Sequence, residues 1–292
     1  MTVSTTRPPA ATDRPGAEQA APLWVTLVLA GILVAATLYA LLVADAYRVS
    51  PGVRETLPET LRGQDLLTLL TVPVLVWAAV RARAGSLRAH VVWLASLLYV
   101  AYSYLMYVVA PFNDGFLLYV AAIGLAGFWL LNGLVRIDLR AAGPAFADVP
   151  RRALAVFLLA VGTLFVGLWL AQILPAIGGG VPEDLFVYDI PSTVHVLDLA
   201  AVLPLTIATG VLLLRRHAAA PILATLLLVK MCTLGLALLF MNGFAGGGGA
   251  NPAEAAIWGL ITAISGGWLV VVLRRVHPAA PGWLRPTFWT TA

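Results

Sequence analysis

Eight stretches of this chain are apolar and, apart from a shorter second one, run for about the 20 residues that a helix needs to cross the hydrocarbon of a bilayer. They are Leu23–Ala44, Asp65–Val80, Ala89–Ala110, Phe116–Val135, Leu154–Leu174, Val194–Leu214, Ala219–Met241 and Ala255–Leu273. Lipid offers no hydrogen bonds to an open backbone, so each stretch must satisfy its own amides, as a single segment does only in an α-helix. The chain therefore reads as an all-α polytopic membrane protein with eight transmembrane helices. Its 292 residues are 61% hydrophobic and only 11% charged, too apolar for a water-facing domain. A soluble globular fold, a disordered chain and a disulfide scaffold are excluded, the last also because Cys232 is the single cysteine.

The charged residues orient the bundle. There are 17 arginines and one lysine. Arginines mark alternate connections: Arg81, Arg83 and Arg88; Arg136, Arg140, Arg151 and Arg152; Arg215 and Arg216; Arg274 and Arg275, with Arg285 beyond. The intervening loops at 111–115, 175–193 and 242–254 hold neither arginine nor lysine. By the positive-inside rule the basic connections are cytoplasmic, which places both termini in the cytoplasm and the protein in the cell (inner) membrane. The 46–64 loop dissents mildly through Arg48, Arg54 and Arg62, diluted by Glu55 and Glu59. Topology thus accounts for the basic balance, and no nucleic-acid partner is expected. Ala44-Asp45-Ala46 resembles a signal-peptidase site, but the apolar run before it exceeds an ordinary signal-peptide core, so the first helix is read as retained. Residues 1–22 read as a disordered cytoplasmic tail, and 277–292, with Trp283, Phe288 and Trp289, as a cytoplasmic or interfacial tail.

The two halves match helix by helix, which predicts a 4+4 parallel internal repeat covering 23–142 and 143–276. Arg62-Gly-Gln-Asp65-Leu opens the second stretch and His195-Val-Leu-Asp198-Leu the sixth. Pro73 and Pro204 follow, then the basic pairs Arg81/Arg83 and Arg215/Arg216, then Asn113 and Asn242. Gly127-Phe-Trp129-Leu and Gly266-Gly-Trp268-Leu close the series on Arg136 and Arg275. Chance likeness between apolar helices is the competing explanation. With four helices per half, a true duplication would relate the halves by a twofold axis along the membrane normal.

Ionisable groups inside a span are costly and mark candidate sites. Lys230 stands halfway along the seventh stretch, where a lysine costs about 2.5–3.5 kcal/mol to insert. Asp198, near the outer end of the adjacent antiparallel stretch, is the expected partner, and Asp65 the second choice. His195 and Arg62 precede those aspartates by three residues, on the same helical face. A local ion pair, or a carboxylate near a helix N-terminus, is the plainer explanation for Asp65. Tyr99, Ser103 and Tyr107 share another face at i, i+4 spacing, and Tyr99 and Tyr102 lie deeper than Tyr104 and Tyr107; helix packing competes with a site role for all of them. The outer side collects acids: Asp45, Asp114, Glu183, Asp184, Asp189 and Glu254. They suit a cation-attracting mouth but are also the complement of the positive-inside rule. His195 with Asp198 is too sparse a pattern to predict a metal site. No cofactor is expected: there is no phosphate-binding loop, no zinc-protease motif and no nucleophile elbow.

Arg62-Gly-Gln-Asp65-Leu-Leu-Thr-Leu-Leu, Pro73 and Gly85-Ser-Leu-Arg88 resemble an uncharacterised bacterial multi-pass membrane protein family with no assigned activity. Leu228-Val-Lys230 followed by Thr-Leu-Gly235-Leu is similar to the lysine-bearing helix of that group. The resemblance spans most of residues 23–276 and implies this architecture, with no reaction attached. The expected function is a small-solute or ion-coupled transporter whose charged site comprises Lys230, Asp198, His195, Asp65, Arg62, Tyr99 and Tyr102. Its partners would be the lipid bilayer and a small solute or cation. A membrane-embedded enzyme or lipid-processing protein using outer-face His195, Asp198 and Glu254 is the alternative, and a sensory or structural protein the third.

Overall fold

The computed structural model describes residues 21–43, 46–47, 57–109, 112–178, 186–187, 190–191, 193–244 and 251–285. The acids Asp45, Glu183, Asp184 and Asp189, the arginines Arg48 and Arg54, the Gly246–Gly249 run and the far ends of both tails lie outside them.

Ten helices are described: α1 (Leu23–Leu42), α2 (Leu57–Arg83), α3 (Leu87–Val108), α4 (Phe116–Val135), α5 (Leu139–Ala142), α6 (Arg151–Ile173), α7 (Thr193–Leu197), α8 (Leu203–Leu214), α9 (Ala220–Phe244) and α10 (Pro252–Arg274). Eight spans long and apolar enough to cross a membrane result, with α7, a π-helical turn and α8 forming one of them, Thr193–Leu214. The chain is a multi-pass membrane protein. Short polar caps set the turns. Ser86 caps α3 by accepting from the Ala89 amide, and Asn251 caps α10 by accepting from Ala253 and Glu254. Gly85 takes φ +86° in the α2–α3 turn, a conformation closed to most side chains. A two-residue antiparallel pair, β1 (Phe186–Val187) with β2 (Ile190–Pro191), lies between α6 and α7.

The second span departs from the sequence expectation. It was expected to open at Asp65, yet α2 begins at Leu57, about 12 Å earlier at 1.5 Å per residue. Four of the eight added residues, Glu59, Thr60, Arg62 and Gln64, are polar, so hydropathy alone hides this part of the helix. Asp65 consequently lies beyond the first turn, where the helix-dipole explanation loses its force. Pro73 sits within a continuous α2.

Two helices form the centre. α3 packs against α2, α4 and α9, and most of its residues are buried; α9 packs against α2, α3, α8 and α10. α1 closes the first four helices by lying against both α2 and α4. α6 packs chiefly on α8 and touches α10 through Phe157–Trp268 and Phe165–Trp258 ring contacts. Where helices approach closely, glycine is required. A Cβ on Gly63 of α2 would lie 2.7 Å from the Phe240 carbonyl oxygen of α9.

The arginine-rich ends meet on one face, tied together by the chain after α10. Residues 284 and 137 form an antiparallel bridge, with the Asp138 amide donating to the Trp283 carbonyl and the Arg285 amide to the Arg136 carbonyl, each at 2.8 Å. Trp283 packs on the His90 ring, Arg285 pairs with Asp138 at 3.1 Å, and His277 contacts Asp148 at 2.6 Å. The tail through Arg285 is therefore a docked strap. The Asp138 carboxyl is held below the ordinary carboxylate range, first by the Arg140 backbone N–H and then by the Arg285 guanidinium. Such a group contributes its stabilisation fully above its unfolded-state pKa, about 3.9, and loses it as pH falls through the lower folded value. Hydrogen exchange in residues 276–285 should accelerate relative to the bundle as pH drops below about 4. Asp138→Asn should abolish that pH dependence; an unchanged profile in the variant would assign strap docking elsewhere.

Candidate functional site

The sixth span carries Asp198 and, six residues on, Pro204. Proline has no amide hydrogen, so a regular helix loses its ladder bond at that point. The chain accommodates this with a π-helical turn over Asp198–Val202, in which the Leu203 amide bonds to the Asp198 carbonyl. A π turn of this kind widens the helix locally and presents its side chains at angles that a regular helix does not allow.

Lys230 of α9 reaches this turn. Its Nζ lies 3.3 Å from Asp198 Oδ1, and both side chains are 4% exposed. Tyr102 of α3 donates its hydroxyl to the same oxygen at 2.9 Å, and Trp169 of α6 donates Nε1–H to Oδ2 at 3.2 Å. The ammonium also sits 4.1 Å from the centroid of the Tyr102 ring, where the π face attracts a cation. One carboxylate thus collects three donors from three different helices. Lys230 keeps hydrogen-bonding capacity, since an ammonium has three donors and one is used on Asp198.

His195 stands between this pair and the N-terminal end of the span. Its ring lies 4.4 Å from that of Trp169, and its Nε2 is 2.8 Å from Gln172 Oε1. Its buried Nδ1 has no hydrogen-bond partner among the described residues. The structure gives His195 an amide neighbour, whereas the enzyme alternative needed a carboxylate within hydrogen-bond reach.

Asp65 belongs to a second cluster. Tyr47 donates its hydroxyl to Asp65 Oδ2, and Tyr107 donates to Oδ1 at 3.1 Å. The rings of Tyr47, Tyr104, Tyr107 and Tyr119 pack on one another with centroids 5.3–6.0 Å apart, enclosing a carboxylate that is 3% exposed. Arg62 lies one helical turn away and is partly buried. Deeper in the same interface, Gln64 donates to the Tyr99 hydroxyl at 2.7 Å, and Thr68 and Tyr99 share a 2.9 Å hydrogen bond. The i, i+4 face of Tyr99, Ser103 and Tyr107 thus serves α2, while Tyr102 serves the Asp198–Lys230 pair.

The transporter expectation groups Lys230, Asp198 and Asp65 in one charged site. The structure brings the first two together and gives the third to a separate tyrosine cluster. An apolar cavity of about 470 Å³ lies between α2, α3, α9 and α10 and is lined by residues including Val74, Trp77, Ser96, Tyr99, Cys232 and Phe240. Of the expected site residues only Tyr99 lines it. Trp169, Gln64 and Tyr47 were missed by sequence reasoning. Trp169 reads as an ordinary interfacial aromatic, and Tyr47 falls in a loop; only Gln64, adjacent to Asp65, carried a signal. Among the described residues no three His, Cys, Asp or Glu side chains gather as metal ligands.

The chain matches no protein-family model, and no curated protein or solved structure matches it. What the site offers chemically is a desolvated ion pair beside a helical break, with exchangeable donors and a polar screen of His195 and Gln172 toward the N-terminal end of the span.

Proposed function

We propose that this chain moves a small solute or ion across the cell membrane, with Asp198 and Lys230 as the charged site that engages the cargo or its coupling ion. The observation that carries the reading is the buried 3.3 Å Asp198–Lys230 pair set on a π-helical turn of a spanning helix. Charges at such depth are expensive, and transporters characteristically place them on interrupted helices, where irregular backbone lines the substrate site. The pair is also bridged across the two halves of the chain by Tyr102, so motion of one half against the other would alter its donors.

This reading includes an orientation and a repeat. Both termini face the cytoplasm, supported by the arginines gathered on the face that carries the C-terminal strap. Residues 23–142 and 143–276 form two parallel four-helix repeats, supported by the ordered matches from Asp65/Asp198 to Arg136/Arg275. The halves have diverged at their interface. α2 lies along α9, while the equivalent α8–α3 pairing is reduced to a small contact through α7.

Reconstituted protein should take up at least one solute from a mixed panel of cations, amino acids and small organic ions. Lys230→Ala and Asp198→Asn should each reduce that uptake about tenfold or more, as expected when a charge-assisted interaction is removed. Mass spectrometry of small molecules retained by the purified protein would narrow the panel. Uptake of every screened solute unaffected by both substitutions would remove the basis of this proposal.

A further inference from the structure

We propose that α6 carries a binding site for one anionic phospholipid, with the phosphate held by Arg151, Arg152 and Arg216 and an acyl chain laid along the helix. The three arginines line a single concavity of about 680 Å³ on the basic face, together with Val149, Pro150, Ala153, Leu213 and Leu214. No carboxylate lines it, and none of the ion pairs among the described residues engages these arginines. Arg151 donates to the His217 carbonyl at 3.4 Å, which leaves most of its guanidinium donors uncommitted. Three like charges gathered without an acid repel one another, and a phosphodiester would neutralise them with forked hydrogen bonds.

Arg216 strengthens the case independently. It occupies the left-handed region, φ 56°, and no other non-glycine residue among those described does so. Glycine or asparagine is the usual residue in such a turn. Here an arginine accepts the strained conformation and lines the concavity.

The wall of the concavity is amphipathic in the sense a phospholipid requires. Along α6, directly after Ala153, a shallow apolar groove runs over Val156, Ala160, Thr163, Leu164, Gly167 and Leu168. These residues recur at i, i+3 and i+4 spacing and so form one stripe of the helix. From Arg152 to Leu168 the stripe covers about 24 Å at 1.5 Å per residue, enough for a headgroup and one acyl chain. Beside this stripe α6 is engaged against α8, where Gly162 and Gly210 allow close approach and Leu159, which also borders the groove, packs on Gly210. Inorganic phosphate would use the arginines but not the groove. Zwitterionic lipid would use the groove but gain little from the arginines.

Native mass spectrometry of the full-length protein in mild detergent, titrated with phosphatidylglycerol, phosphatidylcholine or inorganic phosphate, tests this. Wild type should retain one phosphatidylglycerol in preference to phosphatidylcholine. The triple variant Arg151→Gln/Arg152→Gln/Arg216→Asn should weaken that retention about tenfold or more, asparagine being tolerated at the left-handed turn. Gly167→Phe leaves the arginines intact and meets open space at the glycine; it should fill the groove and weaken retention too. Arg81→Gln/Arg83→Gln, on the same basic face, should leave it unchanged. Equal retention by wild type and the triple variant would overturn the proposal, as would equal binding of phosphatidylcholine. Displacement by inorganic phosphate with no effect of Gly167→Phe would show a free-anion site instead. A dimer that persists without lipid and dissociates on Gly167→Phe would assign the stripe to a second copy of the chain.

Discussion

Lys230→Met should be among the most destabilising single substitutions in this chain. Methionine preserves the length and volume of the lysine stem, so packing is nearly unchanged. What is lost is the positive charge 3.3 Å from a carboxylate that is 4% exposed. Removing one member of a buried pair leaves an uncompensated charge and costs about 3–5 kcal/mol. In a domain of this size that corresponds to a fall in Tm of order 10 °C. Tyr102 and Trp169 would still donate to Asp198, which keeps the cost from growing further. A second substitution should recover much of the loss, because an apolar or neutral pair is often as stable as a buried ion pair. Lys230→Met/Asp198→Asn should recover more than Lys230→Met/Asp198→Leu. Asparagine keeps one acceptor, whereas leucine strands both the Tyr102 hydroxyl and the Trp169 indole N–H, at about 1–3 kcal/mol each. Thermal unfolding of the four proteins in one detergent measures all of this. A Lys230→Met variant as stable as wild type would show that Asp198 is not charged in the folded protein. Recovery of stability without recovery of uptake in the double variants would separate the functional role of the pair from a structural one.

Gly63→Val should be comparably severe for a different reason. Inside a bilayer helices gain little from hydrophobic transfer and depend on close packing, which small residues permit. Gly63 places α2 against the backbone of α9 at Phe240 and Met241, and a backbone cannot move aside as a flexible side chain can. Overpacking generally costs about 1–3 kcal/mol, and more where the neighbour is rigid. Separating α2 from α9 at this level would also disturb Gln64 and Asp65 immediately beyond. Gly63→Val should lower Tm by several degrees and weaken the Tyr99 and Tyr107 hydrogen bonds to α2, visible as faster exchange in the C-terminal half of α3. Gly167→Val, at a glycine facing open space, is the control and should fold normally. If both variants melt together with wild type, the α2–α9 approach is looser than described.

The residues explain which parts of the site were legible in advance. Lys230 stood out because a single charge in the middle of an apolar run has few structural excuses, and Asp198 was its nearest opposite charge on a neighbouring helix. Both inferences use only depth along a helix axis, which sequence spacing reports well. Asp65 was placed at the right end of its helix but given the wrong company. Its depth resembles that of Asp198, yet azimuth, not depth, decides whether it faces α9 or the tyrosines of α3. Periodicity grouped Tyr99, Ser103 and Tyr107 correctly on one face of α3, but it did not say which helix that face would meet. The C-terminal strap was hidden for a related reason: Trp283 in a short polar segment reads as an interfacial anchor until His90 is seen to receive it.

The sequence by itself determined the number of spans, their order and the separation of arginine-bearing from arginine-free connections. Those follow from hydrocarbon thickness and from the cost of unsatisfied amides and charges, which act on each segment independently. Only the tertiary structure decided that Asp65 belongs to a tyrosine cluster of its own, that Pro204 is accommodated by a π turn while Pro73 leaves α2 continuous, and that Arg151, Arg152 and Arg216 share one concavity. Each of these depends on how helices rotate about their own axes and pack on distant neighbours. In lipid those rotations are set by small residues and polar contacts between helices, which no single segment encodes.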